Sequence, residues 1–129
     1  MTTKEIGTYC ETVCKNYLIN NGYNILEINY YSKYGEIDII ATDGNYLAFV
    51  EVKARINKSL TRALEAVNQK KMTKIIKTAY KFLSERDLDL QPRFDVCEIY
   101  FLKNNIKINK INYIKNAFSL DNINLDYKL

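Results

Sequence analysis

Gly35-Glu36-Ile37-Asp38-Ile39-Ile40-Ala41, then Asp43-Gly44, then Tyr46-Leu47-Ala48-Phe49-Val50-Glu51-Val52-Lys53, is the stretch that decides the fold. It reads as two apolar strands joined by a hairpin, because Asp-Gly between apolar runs is a strong turn signal. Two acids interrupt those strands: Asp38 between Ile37 and Ile39, and Glu51 between Val50 and Val52. A carboxylate buried without a partner costs several kcal/mol, so each needs a cation, a metal or an open cleft. Side chains alternate along a strand, which places Glu36 with Asp38 on one face and Glu51 with Lys53 on one face. A loop of two or four residues centred on Asp43-Gly44 sets Asp38 opposite Phe49 or close to it and Glu36 near Glu51. All four charged groups then point to the same side. A three-residue loop would separate the two sets. The Asp-Gly pair favours the two-residue turn, so the expectation is a shared face.

Outward from this hairpin the pattern continues in both directions. Upstream, Ile6, Cys10, Val13 and Tyr17, with Cys14 and Leu18, keep helical spacing over residues 4 to 21, and Asn20-Asn21-Gly22 stops the helix. Tyr23 to Tyr31 reads as a strand. Downstream, Leu60 to Leu83 is helical in two pieces or one bent piece, with Met72, Ile75, Ile76, Ala79 and Leu83 on one stripe. Phe94 to Leu102 is a fourth strand after Pro92, and Ile106 to Asn109 a fifth after the Asn104-Asn105 turn. The order predicts a mixed α/β fold, a central sheet of about five strands flanked by helices, with an antiparallel meander and a helical crossover into the fourth strand. Residues 1–118 form one domain in this reading, and 119–129 a polar tail.

The chain's 129 residues contain no histidine. That excludes a Ser-His-Asp triad, a Cys-His pair and any histidine base or metal ligand. Cys10, Cys14 and Cys97 are an odd number without framework spacing, which argues for packing residues in a reducing cytoplasm rather than a disulfide scaffold or a zinc site. The N-terminus has no signal-peptide pattern, and no apolar run approaches the ~20 residues of a membrane span. Chemistry is left to carboxylates, lysines and oxygen-bound metal. Glu36, Asp38, Glu51 and Lys53 on one rim suit a hard cation, Mg²⁺ or Mn²⁺, which lowers the pKa of a bound water and neutralises charge on a phosphoryl oxygen. Lys53 would orient the attacking water or stabilise the transition state. The ordinary reading of the same residues is a solvated edge strand or a cross-strand ion pair, and the pattern alone leaves both open.

Net charge is +4, but Val52 to Arg86 holds ten Lys or Arg against two Glu, net +8. Lys70, Lys74, Lys77 and Lys81 recur at helical spacing opposite the apolar stripe. With Lys71 and Arg55 they make a candidate track for nucleic-acid phosphates. A solvated helix face has the same pattern.

Asp38 followed by Glu51-Val52-Lys53 resembles the PD-(D/E)XK nuclease signature. Further words are shared in order: Gly35-Glu36-Ile37-Asp38-Ile39-Ile40-Ala41; Phe49-Val50-Glu51-Val52-Lys53 with Arg55; Glu65-Ala66-Val67 followed by Lys71; Arg93-Phe94-Asp95-Val96; and Asn116-Ala117-Phe118. Together they resemble the YraN-like family, an uncharacterised family expected to be endonuclease-like, over about Gly7 to Phe118. The resemblance implies a restriction-endonuclease-like fold, related in shape to archaeal Holliday-junction resolvases. It implies Asp38 and Glu51 as metal ligands and Lys53 as the catalytic lysine. Glu11 matches the family's first-helix acid and is a further candidate ligand, or a solvated helix acid. Glu36 is either a fourth ligand or a partner of Arg55. The activity implied is hydrolysis of DNA phosphodiesters, with branched or damaged DNA as a candidate substrate, leaving 5′-phosphate and 3′-hydroxyl ends; the alternative is a non-catalytic nucleic-acid-binding module. Symmetric cutting would call for a homodimer. The chain departs from the family in its three cysteines, in a Lys58 to Arg62 loop without glycine, and in Tyr113 where histidine is common.

Overall fold

A computed structural model describes residues 2–56, 68–102 and 107–120. The first helix, α1 (Thr3–Asn20), starts from a capping box in which Thr2 Oγ1 accepts the Glu5 N–H and Glu5 accepts the Thr2 N–H. These reciprocal bonds satisfy donors that a helix end otherwise exposes. Cys10, Cys14 and Leu18 form its buried stripe. It ends where Gly22 takes φ +87 and the Gly22 and Tyr23 N–H groups return to the Ile19 and Leu18 carbonyls. That pairing is a Schellman cap, and the left-handed residue it requires is the glycine.

Strands β1 (Asn24–Ser32), β2 (Gly35–Asp43), β3 (Tyr46–Ile56), β4 (Gln91–Phe101) and β5 (Ile108–Phe118) form one sheet in the order β1-β2-β3-β4-β5. Pairing is antiparallel except between β3 and β4, which run parallel. A parallel neighbour needs a crossover, and helix α2 (Gln69–Ser84) lies on it. Ile75, Ile76, Ala79 and Phe82 of α2 pack on Leu47, Phe49, Phe94 and Val96. On the other face α1 covers Ile39, Ala41, Ala48, Val50, Cys97 and Ile99. This is the mixed α/β sandwich that the sequence predicts, with all three thiols free and buried. Among the described residues no helix is long and apolar enough to cross a membrane.

Several boundaries differ from expectation. The β2–β3 hairpin turns on Gly44-Asn45, not Asp43-Gly44, with Asp43 opposite Tyr46. Gly44, at φ +59, takes the first central position, where a type II′ turn requires a positive φ. Asp43 stays in the strand, where its carboxylate is held by Arg93. β4 starts earlier, at Gln91, and tolerates Pro92 because β5 pairs with it only from Phe94. β5 is eleven residues rather than four. Its Asn and Lys residues resemble turn formers, yet Ile108, Ile111 and Tyr113 pack on the α1 face and anchor it as an edge strand. Residues 60–67 of the long helix, the Lys58 to Arg62 loop, Glu65-Ala66-Val67 and tail residues 121–129 lie outside the described residues.

Candidate active site

The ladder between β2 and β3 ends at Ile39 opposite Val50. Beyond it β2 stays with β1 as far as Gly35, while β3 stays with β4 as far as Ile56, so the two strands fork. The fork begins at Asp38. Across that residue the alternation slips, since Ile37 and Ile40 pack towards α2 whereas Ile39 and Ala41 pack towards α1. Asn29 on β1, level with Asp38, takes φ +53 and accommodates the bend. The fork frees a ladder donor, and Asp38 uses it: its Oδ2 accepts the Val52 N–H at 2.8 Å.

Extending the β2–β3 register from Ile39 sets Asp38 opposite Glu51, two residues from the expected Phe49. Both parities are the same, so the expected face is kept for Asp38, Glu51 and Lys53, while Glu36, beyond the slip, lies exposed at the rim. Asp38, Glu51 and Lys53 line a cleft of about 520 Å³, together with Glu11 of α1 and Lys71 and Lys74 of α2.

The two carboxyls at the back of the cleft are nearly out of solvent, at 8% exposure for Asp38 and 6% for Glu51. Burial, then the charge of Glu51 and a hydrogen bond with it, pushes the Asp38 pKa up to about 8, against the Val52 N–H that lowers it. Burial beside a second carboxylate thus favours the neutral form of the Asp38 carboxyl. Two ammonium groups converge on Glu51 Oε2: Lys71 Nζ at 2.6 Å and Lys53 Nζ at 3.5 Å. Burial and the adjacent Lys71 hold Lys53 below the usual lysine range, although Glu51 opposes them. For Lys71 burial acts downward too, but its contacts with Glu51 and Lys53 prevail and raise it.

Other predicted residues divide. Glu11 is half-buried in the cleft wall, its carboxyl raised by burial and by the charges of Glu36 and Glu51, and hydrogen-bonded to Asn29. Glu36 lies exposed at the rim and bonds the Tyr31 hydroxyl rather than Arg55. Neither completes a metal cluster: among the described residues no three acid or thiol side chains converge closely enough to hold an ion. Arg55 continues the Glu51–Lys53 face of β3, and its Nε and Nη2 find no hydrogen-bond partner among the described residues. Lys70 and Lys74 line the cleft. Lys77 instead lies over the Tyr34 ring at 5.5 Å, and Lys81 pairs with Glu85 at 3.1 Å. The basic stripe thus reaches the cleft only at its N-terminal end. The contact that sequence reasoning missed is Lys71 with Glu51, and spacing along α2 could not have revealed it, because it depends on how the helix docks.

Arg93-Phe94-Asp95-Val96 and Asn116-Ala117-Phe118 serve a different place. Phe94 and Val96 face α2, so Arg93 and Asp95 point to the α1 side. There Arg93 bonds Asp95, Asp43 and the Tyr23 hydroxyl, and Asp95 also accepts the Tyr113 hydroxyl at 2.6 Å and the Asn116 N–H at 2.9 Å.

Fold and cleft together define a mixed α/β protein whose sheet forks to present a buried Asp–Glu pair under lysines. The family model described as "Uncharacterised protein family UPF0102" matches residues 10–99. The chain is similar to the UPF0102 protein of Clostridioides difficile, 44% identical over 119 residues, covering 92% of this chain and all of that one. It is similar to that of Sulfurihydrogenibium at 41% over 122 residues, 94% of this chain and 100% of the relative. That of Caldanaerobacter subterraneus is 40% identical over 116 residues, 89% and 95% of the two chains. The chain belongs to the UPF0102 family, the YraN-like family that its motifs resemble.

Proposed function

We propose that this protein is a divalent-metal-dependent nuclease of the PD-(D/E)XK type that hydrolyses phosphodiesters in DNA. The observation that carries the reading is the meeting of Asp38 and Glu51 in the fork, with Lys53 3.5 Å from Glu51. The residues fit Mg²⁺ or Mn²⁺. Their donors are carboxylate oxygens, the pair is short of positive charge at Asp38, and an ammonium stands 2.6 Å from Glu51 where a cation is wanted. Asp38 and Glu51 would hold the ion, which supplies a more acidic water and neutralises charge on the phosphoryl group.

The chain's own groups do the rest. The Val52 N–H fixes the Asp38 carboxyl at the mouth of the fork. Lys53, on the same face of β3 as Glu51, presents its ammonium to the charge that builds on a phosphate oxygen. Lys70 and Lys74 along the cleft wall would bind flanking phosphates. Attack of water at phosphorus with departure of the 3′ oxygen leaves 5′-phosphate and 3′-hydroxyl ends. A cytoplasmic setting, where the three thiols stay reduced, belongs to this reading, as does a second copy of the chain if the cuts are symmetric.

A non-catalytic nucleic-acid-binding module is favoured by one observation: Glu51 already has two lysine partners. Incubating the protein with labelled linear, nicked and four-way DNA and structured RNA, with Mg²⁺ or with EDTA, separates the two. Metal-dependent cutting that Asp38→Asn abolishes supports the nuclease. Binding without cutting by the wild type supports the module.

A further inference from the structure

The first turn of α2 carries Gln69, Lys70 and Lys71 and no acid. Cations there face the positive end of the helix dipole, which is an unfavourable place for them. Lys71 leaves it by reaching across to β3. Its backbone is fixed by the Asn68 cap, whose Oδ1 accepts the Lys71 N–H at 2.9 Å, while its Nζ lies 2.6 Å from Glu51 Oε2. The two ends of the contact are held by separate elements, and the Lys71 side chain keeps 43% of its surface exposed, so it can swing out without unpacking the core. Lys53 already stands within reach of the same oxygen. Asp38, by contrast, forms no ion pair among the described residues. Two ammonium groups thus crowd one carboxylate while its neighbour has none.

We propose that Lys71 is a displaceable counter-ion, holding Glu51 in the resting protein and yielding its place when a divalent cation binds Asp38 and Glu51. Once released, its ammonium lies at the helix N-terminus, where an incoming phosphate is favoured by dipole and charge together. This rests on the metal-dependent reading above and assigns Lys71 a positioning role within it. A lysine that merely decorates the surface would not compete with metal.

Calorimetric titration of MnCl₂ into the full chain, without nucleic acid, tests the idea. Lys71→Met and Lys71→Gln should bind Mn²⁺ about three- to tenfold more tightly than wild type, the scale of one partly exposed ion pair. Lys77→Met removes the same charge from the same helix, outside the cleft, and should stay within about twofold. Unchanged or weaker affinity in both Lys71 variants, with Mn²⁺ binding still lost in Asp38→Asn, overturns the role of Lys71 and leaves the metal site standing. Equal tightening by Lys77→Met also overturns it, because the effect would then be one of general field. No Mn²⁺ binding by wild type or by either Lys71 variant removes the metal site and this inference together. Helical circular dichroism before each titration establishes that the variant is folded, and the Gln variant keeps a polar side chain should Met disturb the helix end.

Discussion

Two charged clusters occupy opposite faces of the same sheet, and they are built on opposite terms. On the α1 side, Arg93 donates to Asp95, Asp43 and Tyr23, and Asp95 takes further bonds from Tyr113 and Asn116. Lys115, 3.6 Å from Asp43, supplies the second positive charge against the two acids, and Asp95 is completely buried. In the cleft beneath α2, Asp38 has no ion-pair partner among the described residues, while two lysines crowd a single carboxylate oxygen of Glu51. A closed network of buried ion pairs fixes a structure, whereas an acid pair with unevenly placed cations in a cleft is a candidate functional site. The first cluster ties β4 to β5 and to the β2–β3 turn. The second lies in the cleft where β2 and β3 part.

The contrast is tested first by breaking the satisfied side. Arg93→Met leaves Asp95 buried and unpaired and should cost about 3–5 kcal/mol in urea denaturation, while any protein that still folds keeps its Mn²⁺ response. A cost under about 1 kcal/mol would mean that the network is ornamental. On the other side, Asp38→Asn and Glu51→Gln should lower DNA cleavage by more than about 100-fold yet leave the urea midpoint near or above that of wild type. Large destabilisation with unaltered cutting would reverse the roles of the two clusters. Tyr113→Phe keeps the ring stacked on Tyr17 and removes one bond to a charged acceptor, so a loss of about 1.5–3 kcal/mol is expected.

The smallest effect is a pH dependence. Asp38 has its folded pKa raised from 3.8 to about 8. Its contribution is therefore complete below its unfolded pKa and is lost as pH rises through its folded one. Without divalent metal, wild type should lose stability relative to Asp38→Asn as pH rises from about 4 to about 8. Added Mn²⁺ should close that gap for wild type alone. A difference that does not change with pH would contradict the raised Asp38 pKa.

Much of the site was legible because a strand has a period of two. Asp38, Glu51 and Lys53 share a face for any even shift of the hairpin register, so misplacing the turn at Asp43-Gly44 shifted their partners without separating them. The turn itself was misread because Asp43 is kept in the strand by Arg93, a residue fifty positions away that no local rule connects to it. β5 was cut short for a similar reason: asparagine favours turns, yet here Asn112 bonds the buried Glu98 at 2.6 Å and Asn116 supplies the left-handed residue of a bulge. The lysine stripe of α2 looked uniform along the sequence. Docking divides it, so that Lys71 meets Glu51 while Lys81 stays with Glu85 on its own helix. Local periodicity reports which face a residue shares, and it does not report what the opposite element brings to that face.

A crystal of the wild-type chain soaked in Mn²⁺ and examined by anomalous diffraction tests the central claim most directly. The account predicts one ion at about 2.0–2.2 Å from carboxylate oxygens of both Asp38 and Glu51, with Lys71 withdrawn from Glu51. An anomalous map with no ion at the fork, and the Lys71–Glu51 contact intact at saturating Mn²⁺, would contradict it.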